Sequence, residues 1–529
     1  MLDVPSLAVG ATIAAQGALL LLTVLAASAQ TLEPRYRDPT NWLSYDRDNT
    51  SRRYSPLDQI DRGNVGDLRV EWVYQFPRLP PRSEATPLIK DGYMYVTVGG
   101  EEGHALDART GRPVWEYLYV PEDADHRNNW NRGFAIQEDR VFMATSDGRL
   151  VGLDTRSGNE LWRAVISDVG QNSNTTGAPF VVNALVLLGV RGGDLGALRG
   201  YLDAYSVSTG ELVWRIHTIP GPGEPGHETW PQDTDSWKRG GGATWTTGAY
   251  DPDLNLLYWP IGNPGPNDFD ASDREGDNLY TNSLLALRPE TGEIVWHFQF
   301  TPRDTHDWDA NETPVLADIE IAGETRKVVL QANRNAFFYV LDRVTGEYLS
   351  ATAFAKQDWA TGFTPNGRPI IRPGSDPTPD GSKVCPDLNG GTNWHAPAFN
   401  PATGLFYVSS RDHCLIFYPS GGAEDPDEPP ARHALRALEA ATGKLEWEIP
   451  LVSPGDIVHA GAMTTGGGLV FFSSREGQFI AADAKTGDIL WNFNLGGSIR
   501  SSPVSYSIGE KQYVTIVSKA AVFTFALPD

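Results

Sequence analysis

Two short segments of this sequence carry residue types that can perform acid–base chemistry on a bound ligand. The first, Thr305–Asn311, places Asp307 and Asp309 on either side of a tryptophan. The second, Gln331–Arg343, places Arg334 just before an apolar run that is typical of a buried strand. A carboxylate can accept a proton, and an arginine stabilises negative charge that develops beside it. The two segments therefore predict a base and a cation at one ligand, if the fold brings them together.

A sequence repeat predicts the elements that must position these segments. Each unit has an apolar run, a polar residue, a Thr-Gly or Ser-Gly turn and a tryptophan four residues after the glycine, as in Leu106–Trp115. The glycine suits a positive-φ hairpin turn, because it lacks the Cβ that disfavours this conformation. One indole per unit suits docking between adjacent sheets, where its N–H finds a carbonyl. The units contain Trp72 (a truncated first copy), Trp115, Trp162, Trp214, Trp296, Ser350 in place of tryptophan, Trp447 and Trp491.

Eight units at a spacing of about 45–55 residues predict an all-β protein, an eight-bladed β-propeller with docking tryptophans. A solenoid is the rival architecture, but the recurring strand and turn chemistry disfavours it. The longer spacings from Trp214 to Trp296 and from Ser350 to Trp447 predict insertions, which are expected to form loops over a central site. We expect residues 30–529 to form this single domain.

Charge and the amino-terminal segment restrict the function and the location. The net charge of −24 argues against nucleic-acid binding and is compatible with a soluble protein, including one that docks a basic partner. Residues 17–29 form an apolar run with an Ala-x-Ala-like end, which predicts a signal peptide over residues 1–29 and a periplasmic protein. A transmembrane anchor is the competing interpretation, since Asp3 stands where a signal peptide has basic residues. No later segment is long and apolar enough to span a bilayer, so no stable membrane anchor is expected.

The sequence contains two cysteines, Cys385 and Cys414. In an exported protein they could form a disulfide, or they could remain two buried thiols. No Cys-x-x-Cys-His motif is present, so no covalently attached c-type haem is expected.

Eight short motifs occur in a joint order that is more specific than any one of them. They are Glu84–Leu88, Asn131–Gly133, Gly193–Gly196, Ala243–Trp245, Gly262–Gly265, His306–Asp309, Asn333–Asn335 and Thr392–Trp394. With the repeat units, they make residues 38–527 resemble the quinoprotein alcohol dehydrogenases of the methanol and ethanol dehydrogenase type, which use pyrroloquinoline quinone (PQQ) and a metal ion. The resemblance implies oxidation of a small alcohol, with electrons passed to an external acceptor such as a soluble cytochrome c.

The resemblance also implies which residues hold the cofactor, a planar orthoquinone with three carboxylates. Trp245 matches the indole beneath the cofactor, and its position outside the repeat register favours this role over that of another docking tryptophan. Arg334 matches the cation beside the quinone oxygen. The remaining implied contacts are Glu84 at an edge, Arg132 and Thr176 at the carboxylates, and Asn393 and Trp394.

For the metal, the resemblance implies the ligands Asp194, Asn263 and Asp309, where Asp194 replaces a longer family glutamate. Carboxylate and amide oxygens suit Ca²⁺. Asp309 also matches the catalytic base, and Asp307 is the rival base by composition alone. Asn311 stands where lanthanide-using relatives have an aspartate, which favours Ca²⁺ over a lanthanide.

One departure and one match concern cysteines. His126 and Arg127 stand where the family commonly has a vicinal disulfide above the cofactor, so the covering element is expected to differ. Cys385 and Cys414 match a pair that is bridged in relatives, and the resemblance therefore implies a disulfide.

Two other functions remain open from the sequence. One is a PQQ-dependent sugar or polyol dehydrogenase, and the other is a non-catalytic propeller scaffold of the cell envelope. A scaffold has no need of Asp194, Asn263, Asp309 and Arg334 together. The choice between an alcohol and a sugar depends on the shape of the pocket.

Overall fold

A computed structural model describes residues 1, 32–78, 83–122, 130–167, 174–193, 198–266, 268–452, 461–474 and 476–529. In these ranges the chain consists of β-strands and loops, with helix only as short 3-10 turns at Pro34–Tyr36, Val65–Asp67, His227–Thr229 and Ser236–Arg239. The all-β class predicted from the sequence is confirmed. The segment interpreted as a signal peptide lies outside the described residues beyond Met1.

Eight sheets, each with four antiparallel strands, account for most of the described chain, and we number them in chain order. Their strands are, in sheet 1, Leu88–Lys90, Tyr93–Val98, Glu102–Asp107 and Pro113–Leu118; in sheet 2, Ala135–Gln137, Arg140–Ala144, Arg149–Asp154 and Glu160–Val165; in sheet 3, Phe180–Val182, Leu185–Gly189, Tyr201–Ser206 and Leu212–His217; in sheet 4, Ala249–Asp251, Leu256–Pro260, Ser283–Leu287 and Ile294–Gln299; in sheet 5, Val315–Ile321, Glu324–Ala332, Phe337–Asp342 and Tyr348–Ala353; in sheet 6, Ala398–Asn400, Leu405–Asp412, Arg432–Glu439 and Leu445–Leu451; in sheet 7, Met463–Thr465, Leu469–Ser473, Gln478–Asp483 and Ile489–Asn494; and in sheet 8, Val504–Ile508, Lys511–Val517, Ala521–Ala526 and Arg69–Gln75. The seventh sheet has a fifth strand, Tyr54–Ser55, which pairs in parallel with its first strand.

Burial shows how each sheet is oriented. The first strands of sheets 2, 3 and 4 are buried or nearly so, whereas most residues of the fourth strands are exposed or half-buried. The first strand of each sheet therefore lies towards the centre of the molecule and the fourth lies at its outside, as in a propeller blade.

Neighbouring sheets are joined by the repeated tryptophan and glycine. The Nε1 of Trp115 in sheet 1 donates to the carbonyl of Thr155 in sheet 2 at 2.8 Å. Gly158, in the turn of sheet 2, has a φ of +70°, and a Cβ built on it would lie 2.7 Å from the ring of Trp115. The same pairing joins Trp72 to Gly111 and Trp447 to Gly487. The turn glycine is therefore required both by its conformation and by the indole of the preceding sheet.

The amino-terminal part of the chain closes the ring. Trp72 was interpreted as a truncated first copy, but its strand, Arg69–Gln75, is the fourth strand of sheet 8 and pairs with Ala521–Ala526. Trp72 donates to the carbonyl of Ala108 in sheet 1 at 3.2 Å. The first and last parts of the chain thus share one sheet, which docks on sheet 1.

The segment 41–55 connects the inner strands of several sheets. Its carbonyls at Asn49, Thr50, Arg52 and Arg53 accept hydrogen bonds from the first strands of sheets 4, 5, 6 and 7, respectively. No local sequence pattern indicates that this segment contacts several sheets, because each contact joins residues that are far apart in the chain.

The predicted insertions are present. One occupies residues 218–248 and 261–282, around the first half of sheet 4. The other has two parts, one between sheets 5 and 6 and one between the second and third strands of sheet 6. The first part forms a small sheet of Ala360–Phe363 and Pro369–Ile371, and its strand Ser382–Val384 forms a second small sheet with Leu415–Tyr418 and Gly421–Ala423 of the second part. The loops of these insertions carry several of the predicted site residues.

Candidate active site

A cavity of about 250 Å³ collects most of the predicted site residues. Eight of the ten line it: Glu84, Arg132, Thr176, Trp245, Asp309, Arg334, Asn393 and Trp394. Asn263 does not line the cavity, but its backbone N–H donates to the Asp309 carboxylate. Asp194 lies outside the described residues. The fold therefore brings together loops from six of the sheets and their insertions at one place.

Asp309 is held by donors on both of its oxygens. It is 4% exposed. Its Oδ1 accepts hydrogen bonds from the backbone N–H of Asn263 at 2.9 Å and from Nδ2 of Asn311 at 3.1 Å. Its Oδ2 accepts a hydrogen bond from Nη1 of Arg334 at 2.8 Å. These contacts fix the carboxylate while it still borders the cavity.

Close packing behind Asp309 requires a glycine. A Cβ built on Gly262 would overlap Oδ1 of Asp309 and would lie 2.7 Å from Nδ2 of Asn311. The backbone of the loop that carries Asn263 can approach the carboxylate only because residue 262 has no side chain.

A second acid orients the segment that carries Asp309. The buried Asp304 carboxylate accepts hydrogen bonds from the backbone N–H groups of His306 at 2.9 Å and Trp308 at 2.7 Å. Burial alone would raise the pKa of Asp304, but these bonds and the His306 side chain outweigh burial and lower the pKa. Trp308 also donates from Nε1 to the carbonyl of Asp387 at 2.9 Å. The indole between the two candidate bases is therefore a structural anchor.

Arg334 lies in the turn between the second and third strands of sheet 5. Besides its bond to Asp309, it approaches Oδ2 of Asp307 at 3.5 Å and donates to the carbonyl of Leu388. Its guanidinium is thus shared by both candidate bases, with the shorter contact to Asp309. The predicted pairing of the two segments is observed.

Cys385 and Cys414 form a disulfide, so the predicted disulfide is confirmed. Leu388 lies shortly after Cys385 in the loop that this disulfide closes. The same loop carries Asn393, whose Nδ2 donates to the carbonyl of Asn389 at 3.2 Å. The disulfide therefore anchors a loop that contacts Arg334 and lines the cavity.

The surroundings of Asn263 fit a hard metal ion. The Asn263 side chain is fully buried, and its Nδ2 donates to Oδ1 of Asp268 at 3.0 Å. With the amide in this orientation, Oδ1 has no hydrogen-bond partner among the residues described. A buried carbonyl oxygen without a donor is the kind of ligand that Ca²⁺ takes, and the backbone of the same residue contacts the Asp309 carboxylate.

Aromatic rings and arginine occupy the other end of the cavity. The guanidinium carbon of Arg132 lies 5.0 Å from the ring centroid of Trp245 and 4.1 Å from that of Trp394. Its Nη1 donates to Oγ1 of Thr176 at 2.7 Å, and its Nη2 lies 3.3 Å from Oε2 of Glu84. A flat indole face with hydrogen-bond donors at its edge suits a planar, carboxylated ligand.

Several residues of the site were missed by the sequence analysis. Trp130, Arg191, Gly192, Asn389 and Arg500 also line the cavity. Trp130 and Gly192 adjoin quoted motifs, and this proximity was the available signal, whereas Arg500 adjoins none of them.

Glu312, which is 3% exposed, was also missed. Burial raises its pKa well above the usual range, by more than Arg334 lowers it. His126 and Arg127, which replace the vicinal cysteines, lie outside the described residues.

Comparison with known proteins identifies the family. A family profile described as PQQ, "Glucose/ethanol/alcohol dehydrogenase, beta-propeller domain", matches residues 42–356 and 437–514. The chain belongs to this family of PQQ-dependent β-propeller dehydrogenases. Among its relatives, the quinohemoprotein alcohol dehydrogenase ADH IIB of Pseudomonas putida is 36% identical, over 90% of this chain and 73% of the relative.

Two other relatives bear on the electron acceptor and the metal. The 1-butanol dehydrogenase (cytochrome c) of Thauera butanivorans is 34% identical, over 90% of this chain and 74% of its own length. A solved structure of a europium-containing methanol dehydrogenase has a TM-score of 0.85 at 30% identity, and covers 93% of this chain and 99% of that one. One relative is therefore named for cytochrome c, and one similar structure is named for europium.

In the described part of the chain, no helix has the length and apolar character needed to cross a bilayer.

Proposed function

We propose that this protein oxidises an alcohol to the aldehyde or ketone in the cavity between Trp245 and Asp309, with Asp309 as the base. The observation that supports it most is the position of Asp309. A charge-neutralising arginine, an amide and a backbone N–H hold this carboxylate at a cavity that also presents an indole face. PQQ, when bound, supplies the two-electron acceptor for the hydride equivalent that leaves the alcohol carbon.

The residues of the chain divide the remaining work. Asp309 accepts the hydroxyl proton, because its carboxylate borders the cavity. Arg334 stabilises negative charge that develops during the reaction beside Asp309, and its bonds to Asp309 and Leu388 fix its guanidinium in advance. Trp245 supports the flat ligand, and Arg132 with Thr176 binds a carboxylate at its edge.

For the metal we propose Ca²⁺, held by Asn263, Asp309 and Asp194. The orphaned Oδ1 of Asn263 and the adjacent Asp309 carboxylate are a matching donor pair. Asn311 donates its amide to Asp309 rather than adding a carboxylate, which favours a divalent ion over a trivalent one. The europium-containing relative makes a lanthanide the necessary comparison in any reconstitution.

For the acceptor we propose a soluble cytochrome c in the periplasm. The net charge of −24 favours docking of a basic protein. A relative named for cytochrome c and the signal-like segment 17–29 support this assignment.

Reconstitution tests the function directly. The purified protein is incubated with PQQ and Ca²⁺, or with PQQ and a lanthanide, and dye-linked oxidation is measured for a panel of alcohols, diols and sugars. We expect oxidation of alcohols with Ca²⁺. Absence of PQQ binding and of turnover with every metal would exclude the proposed function. Turnover of sugars alone would show that the substrate is a sugar and not a simple alcohol.

A further inference from the structure

A second cavity borders the segment that carries Asp309. Its volume is about 280 Å³, against about 250 Å³ for the cavity described above. In the described part of the chain, no residue lines both cavities. The proposed reaction therefore leaves the second cavity without a role.

The segment 304–309 forms part of the wall of both cavities. Asp307 and Asp309 line the first cavity, whereas His306 and Trp308 line the second. The rings of His306 and Trp308 stack with 4.3 Å between their centroids. A ligand in the second cavity would therefore contact the side chains next to the proposed base.

The floor of the second cavity is buried and fixed. His306, Trp308 and Ser375 line it and are at most 4% exposed. The carbonyl of Ser375 lies 2.9 Å from Nε2 of His306. The backbone N–H groups of His306 and Trp308 donate to the carboxylate of Asp304, which also lines this cavity. A displacement of these side chains would thus move the backbone that leads to Asp309.

The rim of the second cavity is charged and more exposed. Arg368 donates to both oxygens of Asp277, at 2.6 and 2.7 Å. Arg303 donates to Oδ2 of Asp376 at 3.4 Å. The first of these ion pairs joins the two insertions of the propeller across the cavity. Each arginine of the rim therefore faces an acid.

This pairing predicts the charge of a ligand. An anion would compete with Asp277 and Asp376 for the two arginines. Among the described residues, no group of three acidic or histidine side chains converges in this cavity, so it does not have the donor set of a metal site. The cavity therefore suits an uncharged ligand.

The same groups predict hydrogen bonding to hydroxyl groups. A guanidinium has five N–H donors, of which Asp277 engages two on Arg368, and each carboxylate oxygen accepts more than one hydrogen bond. A hydroxyl group both donates and accepts, so it can bond to either member of an ion pair. A ligand with several hydroxyls matches a rim in which donors and acceptors alternate.

We propose that the second cavity is an effector site for a small uncharged polyol, and that its occupation changes turnover at Asp309. The second part of this inference rests on the proposed function, because it requires turnover. The binding site itself stands on the cavity and its ion pairs. It can therefore be tested on the protein without PQQ.

Two variants test the site. Arg368→Gln removes the exposed fork of the rim, and Ile371→Trp places an indole at an exposed residue of the cavity wall. Arg163→Gln is the matched control, because Arg163 also donates to both oxygens of one acid, Glu160, at 3.0 Å, and does not line the cavity. Thermal unfolding shows whether each variant is folded.

The first measurement is calorimetric titration of the full chain, without PQQ, with glycerol, ribitol and sorbitol. We expect saturable binding of at least one polyol to the wild type and to Arg163→Gln. Binding to Arg368→Gln and Ile371→Trp should be at least about tenfold weaker. The proposal is overturned if no polyol binds the wild type, or if both cavity variants bind it as tightly as the control does.

The second measurement is kcat of the protein loaded with PQQ and Ca²⁺, for a simple primary alcohol, with and without a saturating polyol that is not itself oxidised. A displacement of the base by about 1 Å can change the rate by about a hundredfold. The polyol is therefore expected to change kcat at least about twofold in the wild type and in Arg163→Gln, and to have no effect on Arg368→Gln.

Unchanged kcat in the wild type with bound polyol would overturn the effector role. Failure of the proposed function is recognised separately. In that case the wild type oxidises no alcohol, whereas the calorimetric titration still detects the polyol.

Discussion

The ring of sheets and the cavity at its centre use tryptophan and glycine for different purposes. In the ring, Trp115 donates to a carbonyl of the next sheet and packs against the positive-φ Gly158, and the pairing recurs around the ring. In the cavity, Trp245 meets the guanidinium of Arg132, and Gly262 admits the carboxylate of Asp309. Neither of these two contacts belongs to the repeated unit that joins neighbouring sheets.

This difference separates stability from chemistry. Each ring contact is one of several similar interfaces, so its loss is expected to lower the free energy of unfolding with little effect on the reaction. Each cavity contact lies at the proposed reaction site and outside the repeated unit, so its loss is expected to change the reaction while the sheets remain folded. Substitutions in the two regions should therefore affect different measurements.

The largest effect on the reaction is expected from Asp309→Asn. The amide has the shape of the carboxylate but cannot act as the base, so kcat should fall by about 10²–10⁴-fold. PQQ binding, measured by fluorescence quenching, should change little, whereas the thermal midpoint should fall, because the amide NH2 faces one of the donors that hold the carboxylate.

Asp307→Asn is the matched control for Asp309→Asn, since Asp307 also contacts Arg334, at 3.5 Å. Its effect on kcat should be much smaller. Equal losses in the two variants would show that the base is not Asp309 alone.

Replacing both cysteines by serine is expected to affect both regions. Opening the Cys385–Cys414 bridge, with a sequence separation of 29, should lower the free energy of unfolding by about 3–4 kcal/mol. Because the bridged loop carries the Leu388 carbonyl that holds Arg334, kcat should also fall, by about tenfold. Chemical denaturation and steady-state kinetics measure the two effects, and a loss of stability with unchanged kcat would show that the bridge does not position Arg334.

The ring was predictable from the sequence because its signals are local. A Thr-Gly turn and a tryptophan four residues later report one hairpin and one interface, wherever they occur. The interpretation of Trp72 as a truncated unit was wrong in topology, because its strand pairs with Ala521–Ala526 at the other end of the chain. Pairing over such a distance leaves no local pattern.

The cavity was predictable in part, through the family motifs. Eight of the ten candidate residues line it, and seven of these eight lie in motifs that mark the loops at the centre of the fold, with Thr176 as the exception. Arg191, Arg500 and Glu312 were missed because their significance depends on which side chains they face, not on their neighbours in sequence. Their proximity to the cavity or to Arg334 follows only from the three-dimensional arrangement.

Gly262→Ala tests whether a glycine of the cavity behaves unlike those of the ring. The added Cβ would displace the Asp309 carboxylate and the Asn311 amide, so kcat should fall by roughly 10- to 100-fold, as for a misplaced catalytic group. The Ca²⁺ concentration for half-maximal activity should rise, because Asn263 is the next residue. Metal titrations and thermal unfolding measure these effects, and a large loss of stability with normal kinetics would place Gly262 with the structural glycines.

The smallest effect is expected in the ring, where two glycines with nearly equal conformations separate strain from packing. Gly158 has a φ of +70° and faces Trp115, whereas Gly404 has a φ of +69° and no described atom within 4 Å of a built Cβ. Gly404→Ala should therefore cost only the left-handed strain, about 1 kcal/mol. Gly158→Ala should cost that strain and a further 1–3 kcal/mol, roughly, for overpacking against the indole. Both variants should retain wild-type kcat per folded molecule. Equal losses in the free energy of unfolding, measured by urea denaturation, would mean that the indole moves aside, and that the glycine is required by backbone conformation alone.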